Sequence, residues 1–337
     1  MAARTVLTGI KPTGRPHLGN LLGAIRPALG LARDPELQAL YFIADYHALT
    51  TLRDPRELAE LTRDVAATWI AFGLDPERVL LYRQSDIPEV FELAWILACF
   101  TPKGWMNKAH AYKACVQDNE AKGVEDLDAG VDMGLYTYPI LMAADILLFD
   151  SDVVPVGKDQ KQHVEIARDI AQRLNHAYDR ELLVPPEAAI REDTATVVGL
   201  DGRKMSKSYD NTIPLLAPPK KLKKLCNRIV TDSSPPEAPK DPDASSVFQL
   251  YRQFASREEI EEMAARYRSG IGWGEAKGAL FEVIEREVAG PRTRYDELMA
   301  NPAELDALLA DGARRARERA RPVLDRVRSA IGIEAPA

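Results

Sequence analysis

The chain has 337 residues, 46% of them hydrophobic and 28% charged, and its 44 basic against 51 acidic side chains leave a net charge of −7. That balance supports a buried core of two domains at roughly 150 residues each and excludes a disordered, collagen-like or coiled-coil chain. It also excludes a protein coated in nucleic acid over most of its surface.

The longest stretch without a charge, residues 133–144, falls short of the ~18 apolar residues that span a membrane. Cys99, Cys115 and Cys226 are widely separated with no CxxC pair, which points away from a disulfide framework or a zinc site. The first ten residues lack the apolar core of a secretory signal. A soluble, reduced, cytoplasmic protein with no membrane partner is expected.

In chain order, residues 5–10 form a short apolar, partly β-branched run, followed by a Gly/Pro-rich loop over 11–19 and a helical pattern over 20–31. Residues 39–44 (ALYFIA) are continuously apolar, as in a strand buried on both faces of a parallel sheet. Asp54-Pro55-Arg56-Glu57 is a helix start, with an N-cap carboxylate and Pro in the first turn. Leu58, Leu61, Val65, Trp69 and Phe72 continue it at helical spacing, and Gly73 closes it. Residues 79–82 are the next strand. Strands separated by helices of this length predict βαβ units in a doubly wound parallel sheet. Beyond about residue 200 only helices are predicted, over 222–230, 257–268, 275–289, 302–319 and 322–330, interrupted by a Pro/Ser/Asp-rich loop at 231–246. The division expected is an α/β domain over residues 1–200 and a smaller all-helical domain over 201–337.

Two loops carry chemistry. In the first, Gly14 and Gly19 permit close backbone approach to a ligand, and the helix that follows turns its positive end toward the loop. His17 and Asn20, three apart, share one side of the first turn. Alone, this loop reads equally as a tight turn. The second is Lys204-Met205-Ser206-Lys207-Ser208, two lysines and two serines that suit charge spreading on a nucleotide's phosphates. Alone, it reads first as an exposed basic loop; paired with the first loop nearly 190 residues upstream, it does not. Two further basic runs stand out: 219–228, with Lys220, Lys221, Lys223, Lys224, Arg228 and no acid, and 312–328, with seven arginines against Glu318 and Asp325. Each is either a solvated helix face or a patch for a polyanion.

PHLGN followed by KMSKS resembles the two signature motifs of class I aminoacyl-tRNA synthetases. Between them, Tyr138-Pro-Ile-Leu-Met142-Ala-Ala-Asp145 and Val154-Pro-Val156-Gly157-Lys158-Asp159-Gln160 resemble the amino-acid and ribose sites of the tryptophanyl-tRNA synthetases. The resemblance runs over residues 8–332 and implies a Rossmann-like, HUP-type catalytic domain. Tyr138, Met142 and Asp145, at i, i+4 and i+7, fall on one helix face. An indole N–H donates and cannot accept, which a carboxylate matches. A buried acid is costly unless a ligand or neighbour donates to it, and the alternative is an Asp145 that serves as an N-cap or ion-pair partner. Asp45 and His47 follow a strand's C-terminal end, where doubly wound sheets bind ligands; His47 reads equally as a structural histidine.

The resemblance assigns tryptophan to Asp145, Tyr138, Met142, His47, Gln160, Val154 and Val156. It assigns ATP to Lys11, Pro12, Thr13, Gly19, Asn20, Gly157, Lys158, Asp159, Val197, Lys204, Met205, Ser206, Lys207 and Ser208. His17, Asn20, Lys204 and Lys207 are the implied catalytic groups. Mg²⁺ is implied to arrive with ATP rather than in a protein metal site, tRNA(Trp) to be the second substrate, and the enzyme to be a homodimer. Asn20 replaces the second His of the signature, as is usual in this branch. Lys11 stands where many members carry Gln, and Cys115 where a second phosphate-binding Lys often follows the basic stretch containing Lys113. Arg314, Arg315, Arg317 and Arg321 are expected to contact the tRNA backbone.

Overall fold

The computed structural model describes residues 4–190 and 197–333. Strand β1 (Arg4–Ile10) is the middle of a five-stranded, all-parallel sheet. β2 (Leu37–Ile43) and β3 (Leu80–Arg83) lie on one side of it, β4 (Val153–Val156) and β5 (Glu187–Ile190) on the other. The order β3-β2-β1-β4-β5 reverses direction between β1 and β4, and the crevice beyond the strand ends there is where such sheets take ligands.

The local signals act as expected at the front of the chain. β2 is buried on both faces: Ala39, Tyr41 and Ile43 enter one apolar cluster, Leu40 and Phe42 the other. The helix Pro55–Ala71 starts at Asp54, whose Oδ1 accepts from the N–H groups of Arg56 and Glu57 at 2.9 Å each, and Gly73 follows its end at φ +97°. The first helical rod covers residues 18–33 rather than 20–31, with a π turn at Leu21–Ile25. β5 is missed by the sequence reading because its EAAI run is neither long nor β-branched.

Among the described residues no strand follows β5. Two helix boundaries need correction. The pattern over 275–289 belongs to one helix, Trp273–Ala300, that runs through Pro291. The two helices expected at 302–319 and 322–330 are one, Pro302–Ile331, with Pro322 inside it. An interior proline costs about 3 kcal/mol. Here the buried stripe Ala313, Ala316, Ala320, Val323, Leu324 and Val327 runs unbroken past it, and that packing outweighs the cost.

The chain after residue 200 covers both faces of the sheet. Residues from Val198 to Leu309 complete one apolar cluster, and Ala313 to Val327 complete the other. Residue 200 thus separates strand-bearing from helical sequence, and both cores cross it. No helix among the described residues is long and apolar enough to cross a membrane.

The C-terminal helix is fastened to β3. A Cβ on Gly312 would stand 1.9 Å from the Leu81 carbonyl oxygen, and Arg315 donates to the carbonyls of Pro76 and Glu77 at 2.7 and 3.0 Å. Helix propensity alone favours alanine at position 312 by about 1 kcal/mol. The expected outcome of Gly312→Ala is the opposite sign, a loss of about 1–3 kcal/mol by overpacking, read from urea unfolding. An equal or higher midpoint would show that the helix does not rest on the strand.

Candidate active site

The ends of β1 and β4 open on a cavity of about 660 Å³. All seven residues assigned to an aromatic amino acid line it: Tyr138, Met142, Asp145, His47, Val154, Val156 and Gln160. Tyr138, Met142 and Asp145 come from one face of the helix Met133–Leu147, Val154 and Val156 from β4, and His47 from the turn after β2.

Asp145 is 2% exposed. Its Oδ2 lies 2.9 Å from His47 Nε2, and Gln84 Nε2 donates to Oδ1 at 2.8 Å and to Oδ2 at 2.9 Å. Burial drives the carboxyl pKa up, and the bonds from His47 and Gln84 oppose that. Asp145 is therefore an acid in the last turn of its helix, held by His47 and Gln84, not an N-cap. Gln84, fully buried, is the main residue the sequence reading missed. It follows β3 in a short 3₁₀ turn, and its Oε1 lies 3.4 Å from the His47 N–H. The nearest signal was its place just past an apolar run, and nothing local links it to Asp145.

Two other arrangements shape the cavity. Tyr138 Oη and His163 Nε2 are 2.6 Å apart, and His163 Nδ1 lies 2.9 Å from Gln160 Oε1, so a buried histidine orients both. Lys11, assigned to the nucleotide, lines this cavity and donates to Thr50 Oγ1 at 2.8 Å; burial lowers its pKa. Asp45 does not line the cavity. It is buried and accepts from the Tyr46 and Ser85 N–H groups, tying the end of β2 to the end of β3.

A second, open cleft of about 470 Å³ is lined by His17, Asn20, Lys204, Met205, Ser206, Lys207, Ser208 and Tyr209. The two signature loops, nearly 190 residues apart, meet here. Asn20 Oδ1 accepts from the His17 N–H at 3.0 Å. Lys207 Nζ donates to the Thr13 carbonyl at 3.1 Å, over Gly14, where a Cβ would come within 2.8 Å of Nζ. Asn211, 2% exposed, holds the lysine loop by donating to Asp201 Oδ1 at 2.7 Å and to the Lys204 carbonyl at 3.0 Å, and its Oδ1 accepts from the Ser206 N–H at 2.8 Å.

The remaining nucleotide assignments divide. Met205 is 5% exposed and sits in the apolar core, with its N–H donating to the Val197 carbonyl at 2.7 Å; Met205 lines the cleft and Val197 does not. Gly157 lines the amino-acid cavity; Pro12 is buried beneath the first loop; Lys158 is exposed. The Asp159 side chain lies outside the described residues. Gly19 lies against the His17 ring. Lys113 is exposed and lines neither opening.

The four arginines expected at the tRNA backbone have partners within the chain. Arg314 pairs with Asp311 and Glu318, Arg315 with two backbone carbonyls, and Arg317 and Arg321 with Glu89 at 2.9 and 3.3 Å. Arg314 and Arg321 nevertheless remain 59% exposed beside these partners.

The sequence profile of the family described as tRNA synthetases class I (W and Y) matches residues 2–289. The chain belongs to that class. It is 54% identical to the tryptophan–tRNA ligase of Neisseria meningitidis over 99% of both chains. It is 55% identical to that of Bordetella parapertussis over 98% of this chain and 73% of the relative. The tryptophanyl-tRNA synthetase of Campylobacter jejuni, solved with ADP and tryptophan, superposes with a TM-score of 0.89 at 42% identity, covering 97% of this chain and 99% of that one. Within the class, the chain is a member of the tryptophan–tRNA ligase family.

Burial, and after it the charge of Lys207, lower the His17 pKa from 6.5 to about 4. His17 is therefore neutral at pH 7. Because its folded pKa lies below the unfolded value, stability from the neutral ring is present above pH 6.5 and is lost as pH falls toward 4. An NMR titration is expected to place the His17 midpoint near 4 and to move it upward in Lys207→Ala. A parent midpoint near 6.5 would contradict this environment.

Proposed function

We propose that this chain joins L-tryptophan to tRNA(Trp) in two ATP-driven steps. The tryptophan carboxylate attacks the α-phosphorus of ATP and pyrophosphate leaves. The 2′-hydroxyl of the tRNA's terminal adenosine then attacks the acyl carbon of the adenylate, and AMP leaves. The observation that carries this reading is the Asp145 carboxylate in a largely apolar cavity, held by Gln84 and His47 and with lone-pair capacity left for one more donor. An indole N–H supplies that donor. Phenylalanine would leave that remaining lone-pair capacity unfilled, and a phenol brings an acceptor as well as a donor.

The roles proposed are those the family resemblance implies, supported for the two loops by their meeting in one cleft. Tyr138, Met142, His47, Gln160, Val154 and Val156 surround the amino acid. His17, as a neutral ring, and Asn20 meet the phosphates, and Lys204 and Lys207 follow charge as pyrophosphate departs. Lys11, Pro12, Thr13, Gly19, Gly157, Lys158, Asp159, Val197, Met205, Ser206 and Ser208 complete the nucleotide's surroundings. Mg²⁺ enters on the triphosphate as part of the substrate. No residue need be covalently modified, and positioning with charge stabilisation supplies the rate. In this reading residues 1–200 activate the amino acid, residues 201–337 carry the lysine loop and meet the tRNA, and the enzyme works in the cytoplasm.

ATP–pyrophosphate exchange run with each of the twenty amino acids is expected to respond to tryptophan alone; a response to tyrosine instead would overturn the reading. Lys207→Ala is expected to slow adenylate formation on the order of 100-fold, about 3 kcal/mol, without a matching loss of tryptophan binding. Asp145→Ala is expected to lose tryptophan affinity by calorimetry.

The enzyme is further proposed to be a homodimer. Tyr46 and Leu49 after β2 are 45% and 44% exposed, Tyr46 packs at a tilt against Phe91 with ring centroids 4.4 Å apart, and Trp95, one turn on from Phe91, is 74% exposed. Such a patch on a helix as apolar as Pro88–Phe100 suits a second copy of the same face. Sedimentation is expected to give a dimer for the parent and a monomer for Trp95→Lys; a monomeric parent would refute it.

A further inference from the structure

The two basic runs look alike in sequence and differ in the fold. The arginines of the C-terminal helix named above all have carboxylate or carbonyl partners within the chain. The helix Pro219–Arg228 is the reverse: among the described residues, none of Lys220, Lys221, Lys223, Lys224 and Arg228 has a carboxylate within ion-pair distance, and all five are exposed. Leu222, Leu225 and Cys226 turn the opposite face into the core. The helix thus offers water a face of five cations and no acid, with its own apolar side chains turned inward. That is unlike a membrane-binding helix, which needs an apolar face free.

Its position narrows the partner. The helix begins ten residues after the lysine loop, and Lys221 shares the rim of a cavity of about 300 Å³ with Arg15 and His17. A polyanion lying along these side chains would be led to the edge of the catalytic cleft. On a chain of net charge −7, a cationic face left without internal partners there matches a phosphate backbone.

We propose that the Pro219–Arg228 helix, not the arginine-rich C-terminal helix, is a track for the ribose–phosphate backbone of the RNA substrate. This rests on the proposed function for the identity of the RNA, and the surface itself rests on the unpaired cations.

The test is Lys220→Gln/Lys221→Gln/Lys224→Gln in the full-length protein, with Arg314→Gln as control. Lys223 is left alone because it lies over the Phe281 ring. Binding of tRNA(Trp) transcript is measured against salt concentration. Each phosphate contact contributes roughly 0.7–0.9 to the log–log slope, so the triple variant is expected to lose roughly 2–3 in slope. At 0.1 M salt that is on the order of 100-fold in affinity. Its thermal midpoint and its tryptophan-dependent pyrophosphate exchange are expected to match the parent, and Arg314→Gln to change neither slope nor affinity.

An unchanged slope in the triple variant overturns the proposal. So does loss of binding to phosphatidylserine vesicles with the tRNA slope intact, which would assign the face to a lipid surface. Absence of tryptophan-dependent exchange in the parent would sink the proposed function, while a salt slope that still falls in the variant would leave the RNA track standing.

Discussion

A buried carboxylate on the helix Met133–Leu147 is the constraint around which the amino-acid cavity is arranged. Removing a carboxylate from water costs several kcal/mol unless donors replace the lost hydration. Asp145 receives donors from the ends of two strands: His47 after β2 and Gln84 after β3. Those strands pair in parallel register, Ile43 with Arg83, so the sheet itself sets the spacing between the two donors. Asp45 reinforces it by accepting from the Ser85 N–H. The cavity's polar floor is thus a product of sheet register, and its apolar walls of helix periodicity.

This explains which parts of the site could be read along the chain. Tyr138, Met142 and Asp145 were legible because helical spacing places them together whatever the rest of the fold does. His17, Asn20 and the lysine loop were legible as motifs. Gln84 was not, because its bond to Asp145 spans 61 positions and depends on β3 lying beside β2. The Asn211 clamp beneath the lysine loop was within reach locally, yet an Asn after Asp reads first as a turn residue.

The basic runs show the same limit for charge. Composition gave residues 219–228 and 312–328 a similar local excess of cations. What separates them is the position of acids far away: Glu89 is 228 positions from Arg317. The prolines fail similarly. Pro302 is a helix start, whereas Pro322, with identical local meaning, lies inside a helix because a continuous buried stripe outweighs its missing hydrogen bond. Local signals mark where a helix is able to begin, and tertiary burial decides whether it does.

The second cleft follows a different logic, in which a lysine is held without a carboxylate bonded to it. Lys207 is drawn onto the first loop by a neutral carbonyl, Thr13, rather than by a carboxylate, and burial lowers its pKa. Gly14, at φ +112°, is what lets the ammonium come so close to the loop's backbone. The same ammonium helps to keep His17 uncharged. A carboxylate partner would hold Lys207 more tightly and would resist handing it over, since a charged pair in a half-buried setting is stronger than a bond to a carbonyl. A carbonyl holds the lysine in place at little cost when it is released. In the proposed reaction that difference is what allows one cation to rest on the first loop and then follow the charge that develops on a departing pyrophosphate.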